Sequence, residues 1–255
     1  GYSRTRRHPT ASPFIFGTKD RNDIFDLEET QRRLESACAF ASSIAGGSTA
    51  AAPASEHKAQ SGMPVRSTQT GEKAVGRAHQ LLFVGGKNEA VDIVKEIAER
   101  IGAPYVAGRW IGGTLTNFKN IRKRIDRLEK LMSERDSGEL EKYTKKERLL
   151  IDREIVELLA RFGGLVKMLD LPAALFIVDT RREETAVREA NQLGIPVIGL
   201  ASSDCDFSQV QYPVPANDTS VRSIRLVTET IAGAFEKGKT SEAPSSKLQA
   251  PNKLQ

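Results

Sequence analysis

Across residues 78–240, short and wholly apolar runs alternate with longer stretches in which apolar positions recur every three or four residues. The runs LLFV at 81–84, ALFIV at 174–178 and VIGL at 197–200 hold no charged residue, and Gly, Pro or Asp stands close by. Such runs predict short strands buried on both faces. Shorter strands are expected at 104–106 and 212–214. Ala90, Val91, Val94, Ile97, Ala98 and Ile101 share one helical face, and further helices are expected at 183–193 and 218–236. Strands separated by helices imply a parallel sheet covered on both faces. Right-handed crossovers then make it a doubly wound α/β domain. Upstream, Leu34, Ala37, Cys38, Ala41 and Ala45 predict a helix at 27–44, with Asp26 as its N-cap.

The stretch 116–162 breaks this alternation. Phe118, Ile121, Ile125, Leu128 and Leu131 mark one amphipathic helix, and Ile151, Ile155, Leu158, Leu159 and Phe162 mark a second. Thr144 and Glu147 form a capping-box pattern that opens the second helix, and Ser137-Gly138 turns the chain between the two. An antiparallel helical hairpin is expected over 116–163, inserted into an α/β domain formed by 1–115 and 164–239. Residues 46–76 contain no Ile, Leu, Phe, Tyr or Trp. They hold too little apolar area to offset the entropy of ordering and are expected to be a disordered insertion. The tail 240–255 reads the same way.

Charge narrows the class of partner. The chain has 38 Lys and Arg against 33 Asp and Glu, a net +5, so the placement of charge matters more than its total. Arg4, Arg6, Arg7, Lys19 and Arg21 face only Asp20 and Asp23 within 1–23. Over 116–135, seven cations (Lys119, Arg122, Lys123, Arg124, Arg127, Lys130, Arg135) stand against Asp126, Glu129 and Glu134, a net +4. That cluster follows directly on GRWIGGTLTNF at 108–118, which holds Arg109 and the chain's single Trp, Trp110. An Arg guanidinium can fork onto phosphate and stack on bases. The plainer readings are a solvated helix face for the charges and a core position for Trp110.

Other chemistry is sparse. Cys38 and Cys205 lie in unrelated segments, so neither a disulfide framework nor a four-cysteine zinc site is available, and a reducing compartment fits. No apolar run approaches the roughly 18 residues that span a bilayer. No signal peptide is evident, and a chain beginning at Gly1 is expected to lack its natural start. His8, His57 and His79 have no Ser or Cys partner in a nucleophile setting, so no catalytic residue, cofactor, metal or small-molecule substrate is expected. Gly85-Gly86-Lys87 follows a strand and opens a helix, a place suited to an anion. Its spacing is not that of a phosphate loop. It therefore reads as a contact to a nucleic-acid phosphate through Lys87, a nucleotide site, or a tight turn. Asp179, at the carboxyl edge of the sheet, with Asp204 and Asp206 reads as a cation site or as turn acceptors and caps.

Several motifs together resemble a known family. TRRHP and PFIFG within 5–17, LLFVGGK at 81–87, GRWIGGTLTNF at 108–118, YTKKE at 143–147, ALFIVD at 174–179, EANQLGIPVIGL at 189–200 and PANDTSVRSIRL at 215–226 resemble, in that order, small-subunit ribosomal protein two of bacterial or organellar type. The resemblance spans about 4–239 and implies a flavodoxin-like three-layer domain with a parallel sheet, plus an inserted antiparallel coiled-coil hairpin. It further implies a structural constituent of the small ribosomal subunit, between head and body, with no catalysis of its own and no membrane. The setting would be the ribosome of a bacterium, a mitochondrion or a plastid. The implied partners are small-subunit ribosomal RNA and neighbouring small-subunit proteins. The candidate RNA contacts are Arg4, Arg6, Arg7, Lys19, Arg21, Lys87, Arg109, Lys119, Arg122, Lys123 and Arg124. Against the family pattern, His8 replaces a usual Trp, SSDCDF at 202–207 replaces DTNCDP, Ala173 replaces a common Asp, and 46–76 is extra. The alternative reading is an α/β nucleotide-binding enzyme with a degenerate phosphate loop.

Overall fold

The computed structural model describes residues 6–20, 22–47 and 78–241. Arg4, Arg21, His57, nearly all of the 46–76 insertion and the tail beyond 241 lie outside the described residues. A 3-10 turn at Pro9–Phe14 leads into an antiparallel pair, β1 (Ile15–Lys19) and β2 (Asn22–Phe25), and then α1 (Leu27–Ala45). There follow β3 (Ala78–Gly85), α2 (Asn88–Ile101), β4 (Tyr105–Ala107), α3 (Phe118–Asp136) and α4 (Lys145–Phe162). The chain closes with β5 (Pro172–Val178), α5 (Glu184–Gln192), β6 (Val197–Ala201), β7 (Tyr212–Pro215) and α6 (Val221–Ser241).

Strands β3 to β7 form one sheet in the order β4-β3-β5-β6-β7, every neighbouring pair parallel. Counted from β3 this is the flavodoxin-like order, with its switch point between β3 and β5. The register lines up Phe83, Phe176, Ile198 and Tyr212 across the sheet. These residues face α1, α2 and α6. Leu82, Val84, Leu175, Ile177 and Val197 point the other way, toward α5 and the Trp110–Ile125 region. Both faces are therefore apolar, which explains the unbroken runs in the sequence. Asp26 caps α1 by accepting from the N–H groups of Glu28 and Glu29, as expected. The capping box at Thr144 and Glu147 is formed, and Gly138 makes its turn at φ 78°.

Three features differ from the sequence expectation. The β1–β2 pair is unanticipated, because a bulge between Ile15 and Gly17 breaks its alternation and leaves Phe16 81% exposed. Strand β3 begins early enough to include His79, and α6 begins at Val221, leaving Asp218 ahead of it. The apolar positions on α3 and α4 serve two different cores. Ile121, Ile125 and Phe162 join the core under the sheet, whereas Leu128, Leu131 and Ile155 form a separate cluster farther along. Leu159 is 38% exposed and is not a core position.

Candidate nucleic-acid interface

The segment between β4 and α3 is held by one buried carboxylate. Glu189, on the apolar face of α5 beside Ala186 and Ala190, is 7% exposed. Its Oε1 accepts from the Trp110 indole N–H at 3.2 Å and the Gly113 N–H at 2.7 Å. Its Oε2 accepts from the N–H groups of Leu115 and Thr116 at 3.0 and 3.2 Å, and from the Thr116 hydroxyl at 3.3 Å. Burial alone would raise this carboxyl, but the donated hydrogen bonds outweigh it and hold the group below its ordinary range. Gly113 has φ +90°, a conformation that lets the backbone wrap the carboxylate and that side chains rarely adopt. Trp110 is 7% exposed and packs beneath the sheet, as its core reading expected, while the adjacent Arg109 is exposed.

From this anchored loop α3 leads out with its cations. Lys119, Lys123, Arg127 and Lys130 recur at spacings of 4, 4 and 3, on the side opposite Ile121, Ile125 and Leu128. Arg127 reaches Glu154 at 3.4 Å and Lys130 reaches Glu134 at 3.8 Å. Lys119, Lys123 and Arg124, with Arg109, are exposed and have no ion-pair partner among the described residues. Arg6 and Lys19 are likewise exposed on the N-terminal arm.

Three of the expected RNA-binding side chains are committed to the fold instead. Arg122 pairs with Asp126 at 2.8 Å and Glu129 at 3.0 Å, and also donates to the carbonyls of Val166 and Met168. Arg7 forks onto Asp23, holds that carboxyl below its ordinary range, and ties the arm to β2. Lys87 is 7% exposed, its Nζ 3.3 Å from Asp179 and 3.0 Å from Asp218. The sequence reading of Lys87 as a phosphate contact assumed an open helix start, and here protein carboxylates fill it.

That filling extends across the switch point. Asp179, at φ 65°, also accepts from the Arg182 N–H at 3.1 Å, the turn-acceptor role anticipated for it. Asp204 pairs with Arg181 at 2.7 Å, and Asp206 caps the turn at Phe207–Gln209. The N–H of Gly86 goes to Glu183, which is 5% exposed, and a side chain on Gly86 would collide with that carboxylate. A bound nucleotide would need those same groups. Burial, reinforced by Asp179, pushes the Glu183 carboxyl up to about 7, against the pull of Arg182 and the Gly86 N–H. A carboxyl that deprotonates later in the folded chain than in the unfolded chain favours folding less as it ionises. Stability should therefore fall between pH 4.5 and about 7, by roughly 3 kcal/mol from this group, and Asp218, raised to about 6, acts in the same direction. Denaturant titrations at both ends of that window should show Glu183→Gln flattening the decline. An undiminished slope would assign it to other groups.

The chain is similar to known proteins over most of its length. The family model described as ribosomal protein S2 matches residues 63–238. The small ribosomal subunit protein uS2 of Coprothermobacter proteolyticus is 38% identical over 239 residues, covering 94% of this chain and 78% of that protein. The uS2 proteins of Syntrophobacter fumaroxidans and Geotalea uraniireducens are 37% and 36% identical, covering 94% and 98% of this chain and 76% and 85% of their own lengths.

Proposed function

Because the chain belongs to the ribosomal protein S2 family, we propose that it is a structural constituent of the small ribosomal subunit, working in translation without catalysis. It associates there with the subunit's RNA and with neighbouring proteins. The contact to RNA runs through Arg109, Lys119, Lys123 and Arg124, with Arg6 and Lys19 on the arm. The observation that carries this is that Lys119, Lys123 and Arg124, exposed and without ion-pair partners among the described residues, follow a loop fixed by a buried carboxylate, with exposed Arg109 at the start of that loop. Phosphate-binding side chains gain most when their backbone is already in place, since less entropy is lost on binding. Arg122 braces α3 and Arg7 braces the arm from within.

The organisation that fits this role is an α/β domain over 1–115 and 164–239 with an antiparallel coiled-coil hairpin over 116–163. Support comes from Leu128 and Leu131 sharing a cluster with Ile155, and from the Arg127–Glu154 pair. The full chain, expressed with a tag, should co-sediment with small subunits and leave them as salt is raised. Recovery only in the soluble fraction, at low as well as high salt, would contradict the assignment.

A further inference from the structure

The last helix ends beside a groove. Lys239, two residues before the end of α6 at Ser241, donates from Nζ to the Ile101 carbonyl at 3.3 Å. Glu99 and Ala103, two residues to either side of Ile101, line a groove of about 570 Å³ together with Tyr105, Met132, Leu159 and Val166. It lies where α2 and β4 meet the root of α3 and α4. A concave and mainly apolar surface of roughly 300–1,000 Å³, with a few polar groups at its edge, is the usual form of a binding cleft.

Charge selects the occupant. Glu99 and Glu129 stand exposed at the rim. Glu99 accepts from the neutral Tyr105 hydroxyl at 2.6 Å, and Glu129 shares the guanidinium of Arg122 with Asp126. This rim therefore stays acidic and repels a phosphate backbone. Beside α6 the sign reverses. Lys167 lines the groove there, and Lys239 is held below its ordinary range by burial and by Lys167, against the pull of Glu236. An occupant entering from α6 needs an anion first, then apolar side chains accompanied by cations. Residues 242–255 follow that order, with Glu242 first, then Lys247-Leu248 and Lys253-Leu254. Reach is ample, since the seven residues from Ser241 to Leu248 span about 25 Å when extended. Pro244 and Pro251 favour polyproline geometry, in which positions six apart, such as Leu248 and Leu254, share one side.

We propose that residues 242–255 dock along this groove of their own chain, with Leu248 in the cleft and Lys247 and Lys253 against the Glu99–Glu129 rim. So placed, the segment straps α2 and β4 to the root of the two long helices. The proposal is independent of the RNA contact and is tested on the full chain without RNA. A photo-crosslinking amino acid is placed at the half-exposed Leu159, and in a second chain at Met132 on the facing helix. Both probes should attach to a peptide within 242–255. Mixing chains of two isotopic labels before irradiation should show the link to lie within one molecule. Leu248→Ser with Leu254→Ser should lower the yield at least several-fold, as should Lys247→Glu with Lys253→Glu. Links between differently labelled chains, links to other parts of the chain or no link at either probe would overturn the proposal. So would a yield that either pair of substitutions left unchanged.

Discussion

Glu189→Ala is expected to destabilise the fold by about 4 kcal/mol and to shift the emission of the single Trp to the red. The carboxylate is the acceptor for the indole N–H of Trp110 and for the backbone N–H groups of Gly113, Leu115 and Thr116. Hydrogen bonds to a charged group contribute about 1.5–3 kcal/mol each, and orphaned buried donors add their desolvation cost, though such terms do not sum. Glu189→Gln keeps one acceptor oxygen but turns an NH₂ toward donors, so a smaller loss of about 2 kcal/mol is expected. Because the segment runs into α3, both variants should weaken RNA binding even where they remain folded. Denaturant unfolding followed by Trp fluorescence measures both effects. Wild-type stability with a buried Trp emission would show that Glu189 does not hold the loop.

The second large effect is expected at the switch point. Lys87→Met keeps the side-chain length but leaves Asp179 and Asp218 without their cation, in a site where Asp218 is wholly buried. Removing one partner of a buried ion pair costs about 3–5 kcal/mol. Adding Asp218→Asn should recover part of that loss, because it removes one of the stranded charges. Thermal unfolding of the single and double variants decides the matter. If Lys87→Met unfolds like the wild type while RNA affinity drops, Lys87 faces phosphate and the buried pairing is wrong.

Much of this architecture is legible in the residues, for identifiable reasons. Strands β3, β5 and β6 are buried on both faces, so burial writes them as continuous apolar runs. The cap at Asp26 and the box at Thr144–Glu147 are local hydrogen-bond patterns that sequence spacing specifies directly. What spacing does not reveal is a partner distant in the chain. Arg122 resembles its neighbours Lys123 and Arg124 in composition, yet its guanidinium reaches the carbonyls of Val166 and Met168, more than forty residues away. Lys87 likewise meets Asp218 across the switch point. Glu189 carries a signal of its own: with Ala186, Ala190 and Leu193 it occupies the apolar stripe of α5. A carboxylate on such a stripe must find buried donors, and the segment 110–116 supplies them from Trp110, Gly113, Leu115 and Thr116.

The exposed cations beside the anchored loop are the centre of the RNA-binding assignment. The most direct measurement is the salt dependence of binding to small-subunit ribosomal RNA, for the full chain and for a variant with Arg109, Lys119, Lys123 and Arg124 all replaced by Ala. Removing one phosphate partner should reduce the log–log slope by about 0.7–0.9, so the variant's slope should be shallower by roughly 3 with its melting temperature close to the wild-type value. A variant that folds normally and keeps the wild-type slope would contradict the assignment and place the RNA-binding surface elsewhere on the molecule.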